Sequence, residues 1–308
     1  MNPVRTTALY LRYHSQRSLR KTRIDQLCAR KEAPISVLFY HRVADTHPNS
    51  WTISKAGFQR SMDYCRENFE IISLAEVQRR IETRNSPRPA VAITFDDGYA
   101  ENSQFALPYL IRHRIPCTYF VTTENIRHGR PFEHDLAQGQ PLAVDTPELL
   151  RAAACGGIEI GLHTANHVDF NRVTKQEQLE HEIIDAKADL EAMIGGPVRY
   201  MAVPFGMPLQ MRPAVFETAR QCGLAGVCSA FGAYNLVGND SFHIRRIHGD
   251  REFIRLKNWL TFDERKLKFE PALPFNDIIV NPPSAMNHSM QTSLIEPNAA
   301  NQLDSSLA

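Results

Sequence analysis

The sequence predicts an α/β fold, a (β/α) barrel of about seven parallel strands, and two observations carry that reading. From residue 34 onward, short apolar runs that read as buried strands alternate about seven times with stretches of helical periodicity. Residues suited to chemistry fall where those runs end, which is where parallel barrels carry their sites. No repeated Gly-x-Gly-x-x-Gly opens a helix, so nothing points to a dinucleotide site.

The 308 residues, 43% of them hydrophobic, are enough for one large core. A net charge of +1 supplies no field to gather nucleic acid, which is therefore not expected as a partner. The six cysteines include no C-x-x-C pair and read as reduced, buried thiols, hence a cytoplasmic setting. Arg5, Arg12, Arg17 and Arg20 break up the apolar character of the first thirty-one residues, so no secretory signal is expected there. No stretch reaches the apolar length of a membrane span.

Residues 1–33 form a basic helix or arm outside the domain. As a helix, it would place Leu9, Tyr13, Leu19, Ile24 and Leu27 on its apolar side and Arg17, Arg20, Lys21 and Arg23 outside. Weak contact of residues 1–32 with an anionic membrane is one reading, and a solvated helix packed on the domain is preferred. The domain covers 34–268. Ile35 to His41 is the first strand and ends in a histidine. Phe58, Met62, Cys65 and Phe69 then recur at helical spacing, and Glu70–Ile72 is a short strand. Ser73 and Glu76 form a capping box for a helix with Leu74, Val77 and Ile81 inward.

Ala90 to Phe95 is a buried strand running into Asp96-Asp97-Gly98-Tyr99. A helix with Phe105, Leu107, Leu110 and Ile111 follows, then a strand over Cys117–Val121. Thr123 to Asp145 shows no periodicity and reads as a surface loop flanking a groove. Thr146-Pro147 starts a short helix. Ile158 to Leu162 is a strand that delivers His163 and His167, and Thr174 and Glu177 make a second capping box. The helix after it buries Leu179, Ile183, Ala186, Leu190 and Ile194 and stops at Gly195-Gly196. Tyr200–Val203 is a strand entering Pro204-Phe205-Gly206, and Val215, Phe216 and Ala219 mark another helix. Leu224–Ser229 and Phe242–Ile247 are the last strands, and Phe253, Leu256 and Leu260 mark a final helix. From Pro271 the chain is rich in Pro, Asn and Ser, so 269–308 is expected to be a disordered tail.

Adjacent carboxylates at one strand end and two imidazoles four residues apart at another supply a metal set with room left for water. Side chains alternate along a strand, so the two acids need not share a job. There is no Gly-x-Ser-x-Gly elbow to support a serine nucleophile. Thr164 reads as a hydrogen bonder behind the histidines.

Over roughly residues 34–250 the chain resembles the carbohydrate esterase 4, or NodB-homology, polysaccharide deacetylases. The likeness rests on Val37-Leu38-Phe39-Tyr40-His41-Arg42-Val43, Ile93-Thr94-Phe95-Asp96-Asp97-Gly98-Tyr99, His163-Thr164-Ala165-Asn166-His167 and Ala202-Val203-Pro204-Phe205-Gly206. It implies a distorted (β/α) barrel and metal-dependent removal of acetyl groups from N-acetylated carbohydrate. Asp97, His163 and His167 would hold the metal, Zn2+ or another divalent ion such as Co2+ or Ni2+, and Asp96 would be the general base. Where the family often has an arginine bracing that base, this chain has Ala202. The late Leu-x-His that supplies a general acid is not evident, and His41 matches the place to which that acid is moved in the poly-N-acetylglucosamine deacetylases. His248, at another strand end, is the competing acid. Phe205, whose N–H is the oxyanion donor, is placed at the substrate together with Pro204 and Tyr99. The alternatives are hydrolysis of another amide or an O-acetyl ester, and a non-catalytic glycan-binding barrel, which Ala202 makes thinkable. The glycan, its linkage and the oligomeric state are not written in the motifs.

Overall fold

A computed structural model of the chain describes residues 3–249 and 251–267. The expected tail over 269–308 and the domain limit at 268 lie outside the described residues. The strands are β1 (Ile35–Tyr40), β2 (Arg42–Val43), β3 (Thr52–Ile53), β4 (Glu70–Ile71), β5 (Ala90–Phe95), β6 (Cys117–Val121), β7 (Glu159–Leu162), β8 (Tyr200–Ala202), β9 (Gly226–Cys228), β10 (His243–Ile244) and β11 (Arg246–His248). The helices are α1 (Pro3–Ser15), α2 (Arg17–Ala29), α3 (Lys55–Asn68), α4 (Leu74–Glu82), α5 (Leu107–Arg112), α6 (Thr123–His128), α7 (Glu133–Ala137), α8 (Pro147–Cys155), α9 (Gln176–Glu180), α10 (Ala186–Ile194), α11 (Pro213–Gln221) and α12 (Phe253–Leu260). Among the described residues no helix is long and apolar enough to cross a membrane.

The main sheet runs β10-β9-β8-β7-β6-β5-β1-β11, with β4 added beside β5. Every pairing in it is parallel, as strands joined through helices must be. The expected last strand, 242–247, is instead split at Arg245. His243–Ile244 pairs with β9 at one edge, and Arg246–His248 pairs with β1 at the other, so one kinked segment brings the two edges together. Asn235 fills the kink. Its side chain bonds both Arg245 N and Arg245 O, while its backbone bonds both Ile35 N and Ile35 O. The result is a distorted barrel with eight strands in its path, one more than the sequence pattern suggests.

Ile35, Val37, Ala90, Ala92, Phe120, Tyr200, Ala202, Cys228 and Ile244 form one buried cluster, joined by Leu74, Val77 and Ile81 of α4. Alternation along β5 then sets Thr94 and Asp96 on the same side as Ala90 and Ala92. Ser73 caps α4 by accepting from Glu76 N, as its motif predicts. The second capping box does not form: α9 starts after Lys175 with no side-chain cap. A π-helical turn, His181–Asp185, joins α9 to α10, which ends at the left-handed Gly195. Thr123–Asp145 is not a plain loop, because α6 and α7 lie within it.

The N-terminal segment is two helices broken at Gln16, which resets the phase and reverses two expected positions. Arg20 is buried, donating to Asn258 O and Thr261 Oγ1, whereas Leu19 faces solvent. Arg12 reaches Asp263 at 2.8 Å and Thr6 reaches Glu252 at 2.7 Å, so both helices are fastened to the domain. All six cysteines are free; Cys65, Cys117 and Cys228 are buried, but Cys155 is exposed, against the expectation.

Candidate metal centre

The β5 strand ends in a turn made of two consecutive left-handed residues, Asp97 at φ 75° and Gly98 at φ 97°. A side chain at Gly98 would also start 3.0 Å from Ile126 Cδ1, so glycine is required twice over. The loop after β7 repeats the strain, with Thr164 at φ 65° and His167 at φ 55°, and Phe205 after β8 sits at φ 62°. A left-handed backbone costs a non-glycine residue about 1–2 kcal/mol, and these four all belong to the expected site. Their surroundings hold them there. Thr164 Oγ1 accepts from His167 N at 3.0 Å, and both carboxylate oxygens of Glu182 accept from Asn166, at 2.9 Å each.

That backbone brings Asp97, His163 and His167 together, with their ligand atoms all within 4.8 Å of one another. Each Nε2 stands 3.4 Å from Asp97 Oδ1, a buried oxygen that accepts no hydrogen bond among the described residues. Ligands about 2.1 Å from a tetrahedral zinc would be about 3.4 Å apart, so the spacing suits a shared cation better than mutual hydrogen bonds. His163 Nδ1 lies 2.8 Å from Ala202 O, so this nitrogen donates its proton and leaves the Nε2 lone pair facing Asp97. The residues present therefore fit a divalent cation. Burial pushes the Asp97 carboxyl up, but the two imidazoles outweigh it and hold the group well below the usual range.

Asp96 points elsewhere. Its oxygens take a bidentate pair of hydrogen bonds from Arg246, Nη1 to Oδ1 at 2.6 Å and Nη2 to Oδ2 at 2.9 Å. The arginine that seemed missing at Ala202 is thus supplied from β11, 150 positions along the chain from Asp96. Arg246 also donates to Ser229 O and lies over the Phe39 ring. Burial raises the Asp96 carboxyl, and the charge of Arg246 with its two hydrogen bonds more than offsets it, so it stays ionised. The pattern reading passed over Arg246. A charged pair, Arg245-Arg246, inside an apolar strand is the available signal, because a buried cation demands an acid.

His41 follows β1 and is half-buried between the Trp51 and His248 rings, at centroid distances of 5.4 and 6.1 Å, with Nδ1 buried and unpaired among the described residues. Burial lowers its pKa, partly countered by Asp97 and Asp96. His248 is likewise half-buried, and burial together with the charges of His41 and Arg251 pushes it down to about 3. Arg42, wholly buried, bonds Glu101 at 2.6 Å and the carbonyls of Thr46 and His47, which fixes the loop carrying Trp51.

Pro204 is buried, whereas Phe205 is 58% exposed with its ring 5.4 Å from that of His167. Tyr99 is fully buried, its hydroxyl donates to Asp135 at 2.8 Å, and His134 Nε2 lies 3.0 Å away. His134 and Phe132, which the loop assignment concealed, instead border a pocket of about 320 Å3 that reaches Asn166 and His167. A second pocket, about 440 Å3, meets it at His167 and is lined by Asp169, Arg172, Gln178 and Phe205.

Residues 83–227 match the family described as Polysaccharide deacetylase, a span that holds Asp96, Asp97, His163, His167 and Phe205 but neither His41 nor Arg246. The chain is 29% identical over 178 residues to YxkH of Bacillus subtilis (strain 168), covering 57% of this chain and 58% of that one. It therefore spans little more than half of that relative. Its fold is similar to IcaB from Ammonifex degensii, with a TM-score of 0.62 and 22% identity over 74% of this chain and 97% of the other. Streptococcus pyogenes deacetylase PplD, solved with acetate, gives 0.61 and 19% over 73% and 98%. A de-N-acetylase from Aggregatibacter actinomycetemcomitans gives 0.59 and 19% over 73% and 99%. Over residues 83–227, which hold Asp97, His163 and His167, the chain is similar to the polysaccharide deacetylases.

Proposed function

We propose that this protein is a metal-dependent hydrolase that removes N-acetyl groups from a GlcNAc-containing glycan. The observation that carries the reading is the buried Asp97, His163 and His167 cluster with a second, separately braced carboxylate beside it. Zinc is the ion we assign, with cobalt or nickel as substitutes, held by those three side chains. Such a cation, when bound, polarises the acetamide carbonyl and acidifies the attacking water.

The chain's own residues do the rest. Asp96, kept anionic and oriented by Arg246, takes the proton from that water. The N–H of Phe205 has no acceptor among the described residues and donates to the carbonyl oxygen as it gains charge, a contribution of about 3 kcal/mol. His41 gives its proton to the departing amine nitrogen, so that C–O formation and C–N cleavage yield acetate and a free amine. We prefer His41 to His248 because, although burial lowers both, Asp97 and Asp96 oppose that lowering at His41, whereas His248 falls to about 3. The exposed Phe205 and Trp51, beside His167 and His41, support a sugar as the ligand. The free cysteines support a reducing compartment.

Acetate release from chitooligosaccharides, set against acetylxylan, tests the bond and the sugar together. Asp96→Asn should cut turnover by about a hundredfold to ten-thousandfold while the bound metal, counted by elemental analysis, stays at one ion. Retained turnover would remove Asp96 from its role, and a parent protein that takes up no divalent ion would end the proposal.

A further inference from the structure

Helix α1 is apolar on two sides. One side, with Leu9 and Tyr13 partly covered, packs towards α12, where Asn258 bonds Leu9 O and Lys257 lies over the Tyr13 ring. The other carries Val4, Ala8 and Leu11 at i, i+4 and i+7, and all three are exposed, Leu11 to 67%. Past the break at Gln16, Leu19 adds a further apolar side chain at 72% exposure. A helix that only rests on a domain has no use for a second apolar stripe.

The charge around that stripe is predominantly basic, the one acid of α2 being Asp25, which pairs with Lys21 at 2.8 Å. Residues 3–24 contain Arg5, Arg12, Arg17, Arg20, Lys21 and Arg23 and no acid. Arg12 and Arg20 turn inward, which leaves Arg5, Arg17, Lys21 and Arg23 outside. Arg5 also lines a pocket of about 280 Å3 with Arg255, Arg265 and Lys266 over Leu9 and Trp259, where the single acid, Asp263, is paired with Arg265. Two such faces would repel each other, so a second copy of this chain is a poor occupant. A surface that is anionic above and apolar below satisfies both features.

We infer that the outward face of α1 and α2 docks on an anionic lipid membrane, with Leu11 and Leu19 entering the headgroup boundary and Arg5, Arg17 and Arg23 meeting lipid phosphates. The fastening of both helices to the domain through Arg12 with Asp263 and Arg20 with Asn258 and Thr261 makes this a rigid mount for the barrel. The inference does not depend on the reaction proposed above.

The full chain, sedimented with phosphatidylcholine vesicles with or without a third phosphatidylglycerol, should bind only the mixed vesicles and lose binding as salt rises. Leu11→Asp with Leu19→Asp should weaken binding by at least about tenfold. Arg17→Glu with Arg23→Glu should do the same and flatten the salt dependence. Circular dichroism and metal content report that each variant is folded. Equal binding to neutral vesicles, no binding at all, or folded variants that bind like the parent would overturn the inference. So would a dimer of the parent chain that Leu11→Asp dissolves while vesicles are ignored.

Discussion

Asp96 is a carboxylate 2% exposed to solvent, and its ionised form persists there because a guanidinium faces it across two short hydrogen bonds. Removing one member of such a pair leaves the other as an uncompensated buried charge, which costs more than the pair itself contributes. Arg246→Gln should therefore destabilise the fold by about 3–5 kcal/mol, read from the urea midpoint, and lower kcat as Asp96 loses its orientation. Adding Asp96→Asn to that variant should restore part of the stability without restoring turnover, since the stranded charge is then gone. At this scale the clustering of Asp97, His163 and His167 was legible, because they stand at strand ends in spacings that suit a shared cation. Arg246 was not. Nothing local in the run from Phe242 to His248 tells which acid, 150 positions away, will need it. Nor does the place of Tyr99 in a motif say which way its ring is packed, which is inward.

Among the elements, the segment from Phe132 to Asp145 is pinned to the turn that bears Asp97. Asp145 N donates to Gly98 O at 2.7 Å, and its carboxylate accepts from Tyr119 and Ser103. Burial pushes that carboxyl up to about 6, against the pull of those two donors. The native state therefore binds this proton more tightly than the unfolded chain does, and the group's contribution to stability falls as pH rises from about 4 to about 6. Asp145→Asn should thus gain on the parent protein by up to about 3 kcal/mol between pH 4 and pH 7, measured as the difference in unfolding free energy. Strands β1, β5 and β6 were readable because each is a mostly apolar run whose residues are all buried. Helices α6 and α7 were not, since six and five residues are too few to show a period. The kink at Arg245 also escaped, because a single residue held by a distant asparagine leaves the apolar pattern of the strand intact.

For the whole molecule, a cation in the centre would bind the folded chain and not the unfolded one. Loading with zinc should therefore raise Tm, by about 8–16 °C when free metal exceeds Kd a thousandfold, and a chelator should return it. Calorimetry with and without chelator reads this apart from any activity, and Asp97→Asn should abolish the difference. The barrel as a whole was predictable from the alternation of its elements, and packing of the N-terminal segment on the domain was the preferred reading, while the sides that α1 and α2 turn to it were not. A break at Gln16 turned Leu19 out and Arg20 in, and a continuous helical wheel does not anticipate it.

One consequence of the kinked closing segment concerns synthesis. Asp96 leaves the ribosome 150 residues before Arg246 does, and over that interval the nascent barrel carries an acid without its counter-ion and a sheet without its final edge. A chain halted between residues 167 and 246 has Asp97, His163 and His167 and still lacks the guanidinium that keeps Asp96 charged and aimed.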